Sequence, residues 1–213
     1  MRGSESSLAP MSKASGASGG SWVAVVVSFT ELARAMVRGV LYYSTMHAGA
    51  ARDESRLGGA LARACIAALA PGFAAAAIQR PPRGKPFVRG APRFSIAHSA
   101  PLVACAAVAR GEVGLDFECD AAVGRLTLAT ICDAAERELA VQLGIPAVWI
   151  AKEAALKAGG GTVEQLARVR VDARGARFRG RRYHAHRIEL DGRWPACIMT
   201  SAREVRFDVH RLA

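Results

Sequence analysis

At 213 residues, 51% of them apolar, the chain can fill one large core or two small ones, which leaves little room for an unfolded or fibrous protein. Its net charge of +11 comes almost wholly from arginine, since lysine occurs only at Lys13, Lys85, Lys152 and Lys157. Such a balance favours anionic partners: nucleic acid, phosphorylated metabolites, an anionic membrane or an acidic protein.

Residues 1–21 are rich in serine and glycine and read as a disordered tail. The apolar run Val23 to Phe29 is β-branched, too short to span a bilayer, and followed by Glu31 and Arg34, so it reads as a first strand rather than a targeting segment. A helix is expected from Thr30 to about Tyr43. Arg52 to Ala70 repeats leucine and alanine at helical spacing and stops at Pro71-Gly72, with Arg56 and Arg63 on or near its polar side. Gln79 to Asp120 opens as a basic, proline-rich loop, then gives a short strand at Phe94 to Ala97 and a turn at His98 to Pro101. After these a hairpin is expected, Leu102 to Ala109 turning at Arg110-Gly111 and returning through Val113 to Glu118.

Asp133 and Glu136 have capping-box spacing and predict a helix to Leu143, closed by Gly144 and Pro146. A further helix runs from Trp149 to the stop at Gly159 to Gly161. Residues 167–190 alternate as an antiparallel hairpin with a turn near Arg174-Gly175, and Pro195 to Ser201 reads as one more buried strand. Five cysteines, an odd number without CxxC spacing, read as buried free thiols in a reducing compartment, which predicts a cytoplasmic protein. Two strand-and-helix groupings of similar size imply α+β lobes over 22–100 and 101–213, without a visible sequence repeat.

Four short segments hold residue types suited to chemistry. In a strand, Asp116 and Glu118 face one way while Leu115 and Phe117 point inward, and two adjacent carboxylates call for a cation such as Mg²⁺. Alone, the pattern is more often that of a solvated edge strand ending in acids. Glu153 and Lys157 share a helix face with Trp149: a third carboxylate for a metal and a cation for a phosphate, or an ordinary i, i+4 pair. Arg83 and Lys85 lie in a rigid glycine- and proline-bearing loop that suits a phosphate, and His98-Ser99 sits at a strand end without triad spacing.

In this order, Gly84-Lys85-Pro86, His98-Ser99, Gly114 to Glu118 and Trp149 to Lys157 resemble the motifs of the 4′-phosphopantetheinyl transferase superfamily, in its two-lobed surfactin-synthetase type. The resemblance spans about residues 81 to 160. It implies two similar α+β lobes in a pseudo-dimeric fold, a monomer, and transfer of the phosphopantetheine arm of coenzyme A to a serine of an acidic apo carrier protein, with release of 3′,5′-ADP. By the same resemblance Asp116, Glu118 and Glu153 hold Mg²⁺, with Mn²⁺ as the alternative ion, and Glu153 is the base for the serine proton. Lys157 contacts the diphosphate, while Arg83, Lys85, Pro86, His98, Ser99 and Lys152 line the nucleotide site. Arg52, Arg56 and Arg63 are further candidates for the adenylate.

The sequence departs from the family pattern at Ala97, Phe117 and the stretch Trp149-Ile150-Ala151, none of which removes a metal ligand. Two other readings compete. A basic nucleic-acid binder suits residues 168–187, yet that stretch alternates arginine with Val169, Val171, Phe178 and Tyr183 and lacks a pair of stacking aromatics. A non-catalytic binder of carrier protein or coenzyme A would keep the fold but has no need of intact carboxylates. The expectation is therefore an enzyme, with neither nucleic acid nor membrane as its partner.

Overall fold

A computed structural model describes residues 36–46, 51–82, 84–119 and 125–212, with the backbone alone for 51–53 and 125–127. The tail at 1–21, the expected strand Val23 to Phe29, the start of the expected Thr30 helix and Arg83 lie outside the described residues, as does the Arg52 side chain.

The described residues form an α+β structure with two sheets. Strands β1 (Val37–Thr45), β2 (Arg93–Ser99), β3 (Leu102–Val108) and β9 (Val205–Arg211) make the first, in the order β2-β3-β1-β9, with β1 and β9 parallel and the other neighbours antiparallel. The second is antiparallel, in the order β4-β8-β7-β6-β5, from β4 (Val113–Phe117), β5 (Arg170–Asp172), β6 (Gly175–Phe178), β7 (Arg181–Leu190) and β8 (Trp194–Thr200). The helices are α1 (Ala51–Leu69), α2 (Arg125–Ile131), α3 (Ala134–Leu143) and α4 (Ile145–Ala158).

Alternation along the strands divides the apolar residues among three cores. Leu41, Leu102 and Ala104 of the first sheet meet Leu115, Phe117 and Ile198 of the second, so the sheets bury one face against each other. The outer face of the first sheet, with Phe94, Val103 and Cys105, is covered by Leu61, Cys65 and Ile66 of α1. On the second, Ala151, Ala154 and Ala158 of α4 lie against Ala176, Phe178 and Met199. The order of layers is thus helix, sheet, sheet, helix. Each fully buried Leu, Ile or Phe contributes about 1.5–3 kcal/mol, so the shared middle core ties the two sheets firmly together.

The units β1-α1-β2-β3 and β4-α4-β7-β8 follow the same course. In each, a strand leads to the covering helix, then to a hairpin whose second strand pairs antiparallel with the first.

Several expectations hold. Helix α1 covers the periodic stretch and gives way to a 3₁₀ turn at Pro71–Phe73. Asp133 caps α3, its side chain accepting from the Glu136 amide while Glu136 accepts from the Asp133 amide. Gly144, at φ 89°, then lets α4 leave α3 at a bend of 120°, with Pro146 in its first turn where no amide is needed.

Others are corrected. The helix expected from Thr30 to Tyr43 is, over its described part, strand β1, whose ladder partners β3 and β9 override its local pattern. The hairpin expected from Leu102 to Glu118 does not form: β3 pairs with β1 and β2, while Arg110-Gly111 carries the chain across to the second sheet. The boundary expected near residue 100 would cut the β2–β3 hairpin, and residues 101–213 do not make one unit, because β3 and β9 belong to the first sheet. Four of the five cysteines are buried and all are free; Cys119 is half-buried. Among the described residues no single helix is long and apolar enough to cross a membrane.

Candidate functional site

Strand β4 turns Val113, Leu115 and Phe117 into the core between the sheets, and so must turn Gly114 and Asp116 towards α4. Gly114 sets how close the helix comes. A Cβ there would stand 2.0 Å from the Ala154 carbonyl oxygen and 2.4 Å from the Ala158 nitrogen. With the helix this close, the Lys157 Nζ lies 2.5 Å from Asp116 Oδ1 and 4.0 Å from Glu153 Oε2. The face shared by Trp149, Glu153 and Lys157 is the half-exposed face of α4, as the spacing predicts.

Asp116 is not on a solvated edge: it is 3% exposed, and its Oδ2 is buried without a hydrogen-bond partner. Burial pushes its carboxyl up to about 7, and the nearby Glu153 and Glu118 carboxylates add to that, while the Lys157 ammonium opposes it. Glu118 is held from the other side. The Ser99 hydroxyl donates to Glu118 Oε2 at 3.0 Å and accepts from the Cys119 amide at 2.9 Å. Ser95, on the same face of β2, accepts from the Leu115 amide at 3.0 Å. Two serine side chains thus stitch β2 to β4 where the sheets have no backbone ladder between them.

This gathers the first sheet, the DxE segment and α4 around one charged centre. Among the described residues, no three His, Cys, Asp or Glu side chains converge closely enough to hold a metal ion as they stand. The Lys157 ammonium lies beside both Asp116 and Glu153, and Ser99 holds Glu118 aside. The donors nevertheless fit a hard cation: they are all oxygen, and Asp116 Oδ2 is a buried carboxylate oxygen without a partner. Lys157, about a third exposed, has solvent to turn into.

The expected nucleotide ligands are divided. Pro86 and His98 line a cavity of about 270 Å³ over α1, together with Glu54 and Arg80. There His98 Nδ1 is 3.6 Å from Glu54 Oε2, and Arg80 donates to the Ser55 carbonyl. Lys85, one residue before Pro86, points elsewhere: its Nζ donates to the Val113 carbonyl at 2.7 Å. Burial lowers its pKa to about 8 against the opposing pull of Glu112. Arg56 is exposed, and Arg63 donates to the Ala76 carbonyl.

Lys152 is corrected outright. It is fully buried, with Nζ 2.8 Å from Glu136 Oε1 and 2.6 Å from the Val169 carbonyl, and Glu136 Oε1 also accepts from the Val171 amide. Lys152 therefore fastens α4 to α3 and β5 instead of meeting a ligand. Helical geometry carried the signal: residues five apart lie about 140° apart around the axis, so Lys152 and Lys157 cannot serve one site.

Sequence reasoning also passed over Arg80, Ser95 and the role of Gly114. Ser95 had a legible cue, since in a strand it shares a face with Ser99. Arg80 had none beyond its place in a basic loop. No protein-family profile matches this chain, and no curated protein matches it.

Proposed function

We propose that this protein is a 4′-phosphopantetheinyl transferase of the two-lobed type, moving the phosphopantetheine arm of coenzyme A to a serine of an acidic apo carrier protein. The observation that carries the reading is the buried Asp116 carboxylate beneath α4, with Lys157 on one oxygen and Glu153 and Glu118 beside it. This is the meeting of the two segments on which the resemblance rests. The common course of β1-α1-β2-β3 and β4-α4-β7-β8 supports a pseudo-dimeric fold, two related lobes in one chain, and with it a monomer.

In the reaction, the carrier serine oxygen attacks the phosphorus that bears the pantetheine arm. The bond from that phosphorus to the bridging oxygen breaks, and 3′,5′-ADP leaves with the electron pair. Asp116, Glu118 and Glu153 would hold Mg²⁺ or Mn²⁺, which supplies charge neutralisation on the diphosphate. Lys157, displaced from Asp116, binds a diphosphate oxygen and offsets the charge that builds on the leaving group. Glu153, on the half-exposed face of α4, takes the serine proton. The cavity holding Pro86, His98 and Arg80 is the candidate seat of the adenosine end. A net charge of +11 attracts an acidic carrier.

The test is intact mass spectrometry of an apo carrier protein incubated with this protein, coenzyme A and Mg²⁺. A gain of about 340 Da, the mass of one phosphopantetheine arm, is expected, vanishing with chelator and with Asp116→Ala or Glu153→Ala, each by at least about 10²-fold in rate. No gain across acyl and peptidyl carriers would overturn the reading in favour of a binding protein.

A further inference from the structure

A second cavity, of about 410 Å³, opens where α4 ends, bordered by Lys85, Arg93, Arg179, Arg181 and Glu112, with Gly159-Gly160 as a floor without side chains. Four cations face one carboxylate. Glu112 answers only loosely, its oxygens lying 4.0 Å from Lys85 Nζ and 4.0 Å from Arg93 Nε. Volumes of this order suit a small ligand. The carbonyl end of α4 is the feature least friendly to an anion, and Arg179 covers part of it by donating to the Gly159 carbonyl.

The backbone adds an independent sign. Arg179-Gly180 is the two-residue loop of the β6–β7 hairpin, with φ of 49° and 74°. A loop with both residues at positive φ favours Asn-Gly or Asp-Gly, and arginine in the left-handed region is strained. The same chain places Asp191-Gly192, at φ of 55° and 67°, in the β7–β8 turn. At 179 it carries arginine instead, held by Gln165 Oε1 at 2.9 Å and packed over the Phe178 ring, and this arginine lines the cavity. Local strain kept at such a place indicates that the side chain is wanted there.

We propose that this cavity is a second anion site, apart from the Asp116 centre, which takes a phosphoryl group through Arg179, Arg181, Arg93 and Lys85. The site does not depend on the transferase reading and stands or falls separately from it.

Pyrophosphate, titrated calorimetrically at low ionic strength with chelator present, is the probe. The unaltered protein binds it at one saturable site, and Arg181→Gln weakens binding about tenfold, the worth of one charged hydrogen bond. Arg179→Asn weakens it to a similar degree while raising the melting temperature by about 2 °C, because asparagine relieves the turn. A purely structural arginine gives no such opposed pair. Arg206→Gln, which removes an exposed cation of β9 that does not line the cavity, leaves the affinity within about twofold.

A parallel titration with adenosine 3′,5′-bisphosphate separates the sources of the phosphate. If Arg179→Asn weakens both ligands the cavity accepts a nucleotide's phosphoryl group, and if it weakens pyrophosphate alone the cavity takes free phosphates. Unchanged affinity in Arg181→Gln and Arg179→Asn, no saturable binding, or an equal loss on Arg206→Gln would overturn the proposal.

Discussion

Asp116 is ionisable, 3% exposed, and bonded through only one of its oxygens. With its carboxyl raised to about 7 from an ordinary value near 3.8, the folded chain holds a proton that the unfolded chain gives up. The stability this confers is complete below about pH 4 and is lost as the pH rises through about 7, by an amount on the order of a few kcal/mol. Asp116→Asn, measured without divalent ions, should therefore be at least as stable as the unaltered protein at pH 8, gaining about 1–2 kcal/mol after loss of the Lys157 bond, while the proposed transfer activity should disappear. Urea melts at pH 5 and pH 8 check this. A variant less stable than the parent at pH 8 would mean that the Lys157 pair more than offsets the burial of charge. The neighbouring lysines differ for a related reason: Lys152 has Glu136 and a carbonyl within bonding distance in a dry core, and Lys157 faces water.

Helix α4 owes its place to Gly114 as much as to its own sequence. Gly114→Ala must push Ala154 and Ala158 off β4, at a cost of about 2–3 kcal/mol by the usual scale of overpacking. Because the same movement carries Lys157 and Glu153 away from Asp116, the proposed transfer should fall further than stability, as urea denaturation beside an assay of that reaction would show. Equal activity in a folded Gly114→Ala protein would mean that the helix seat does not govern the centre.

The elements legible in the sequence are those whose signals are local. The α1 periodicity, the Asp133–Glu136 box and the two-residue alternation of β4 were readable because each depends on residues within one or two turns. Strand β1 was not, since its pairing comes from residues 102–108 and 205–211. Strand β9 was missed as well, because an edge strand carrying Arg206, Asp208 and Arg211 lacks an apolar run. Of the site, Asp116, Glu153 and Lys157 were readable as a group. The burial of Asp116 and the division of Lys85 from His98 depend on which way the loops cross the sheets, and no spacing encodes that.

At the scale of the molecule, the middle core joins the sheets through residues drawn from both, among them Leu41, Leu102, Leu115 and Ile198. Separating the sheets would expose all of these at once, so the protein should unfold as one cooperative unit. Fluorescence from Trp149 and Trp194, which report on the second sheet, and far-ultraviolet circular dichroism, which reports on both, should give coincident urea transitions. Two separated transitions would show that each sheet, with its helix, folds alone.

The parallel pairing of β9 with β1 also bears on synthesis. Synthesis delivers Val37 to Val108 well before Val205 to Arg211, and among the described residues the former can assemble α1 over three strands before the β9 partner of β1 exists. That edge stays open while the whole second sheet is made, and closes only when Val205 to Arg211 leave the exit tunnel. Throughout that interval, a newly released neighbour whose own sheet has not yet closed offers the same seven residues to the same edge. Crowded polysomes therefore set a hazard of exchanged strands for this protein, and diluting them during expression is the remedy that the topology recommends.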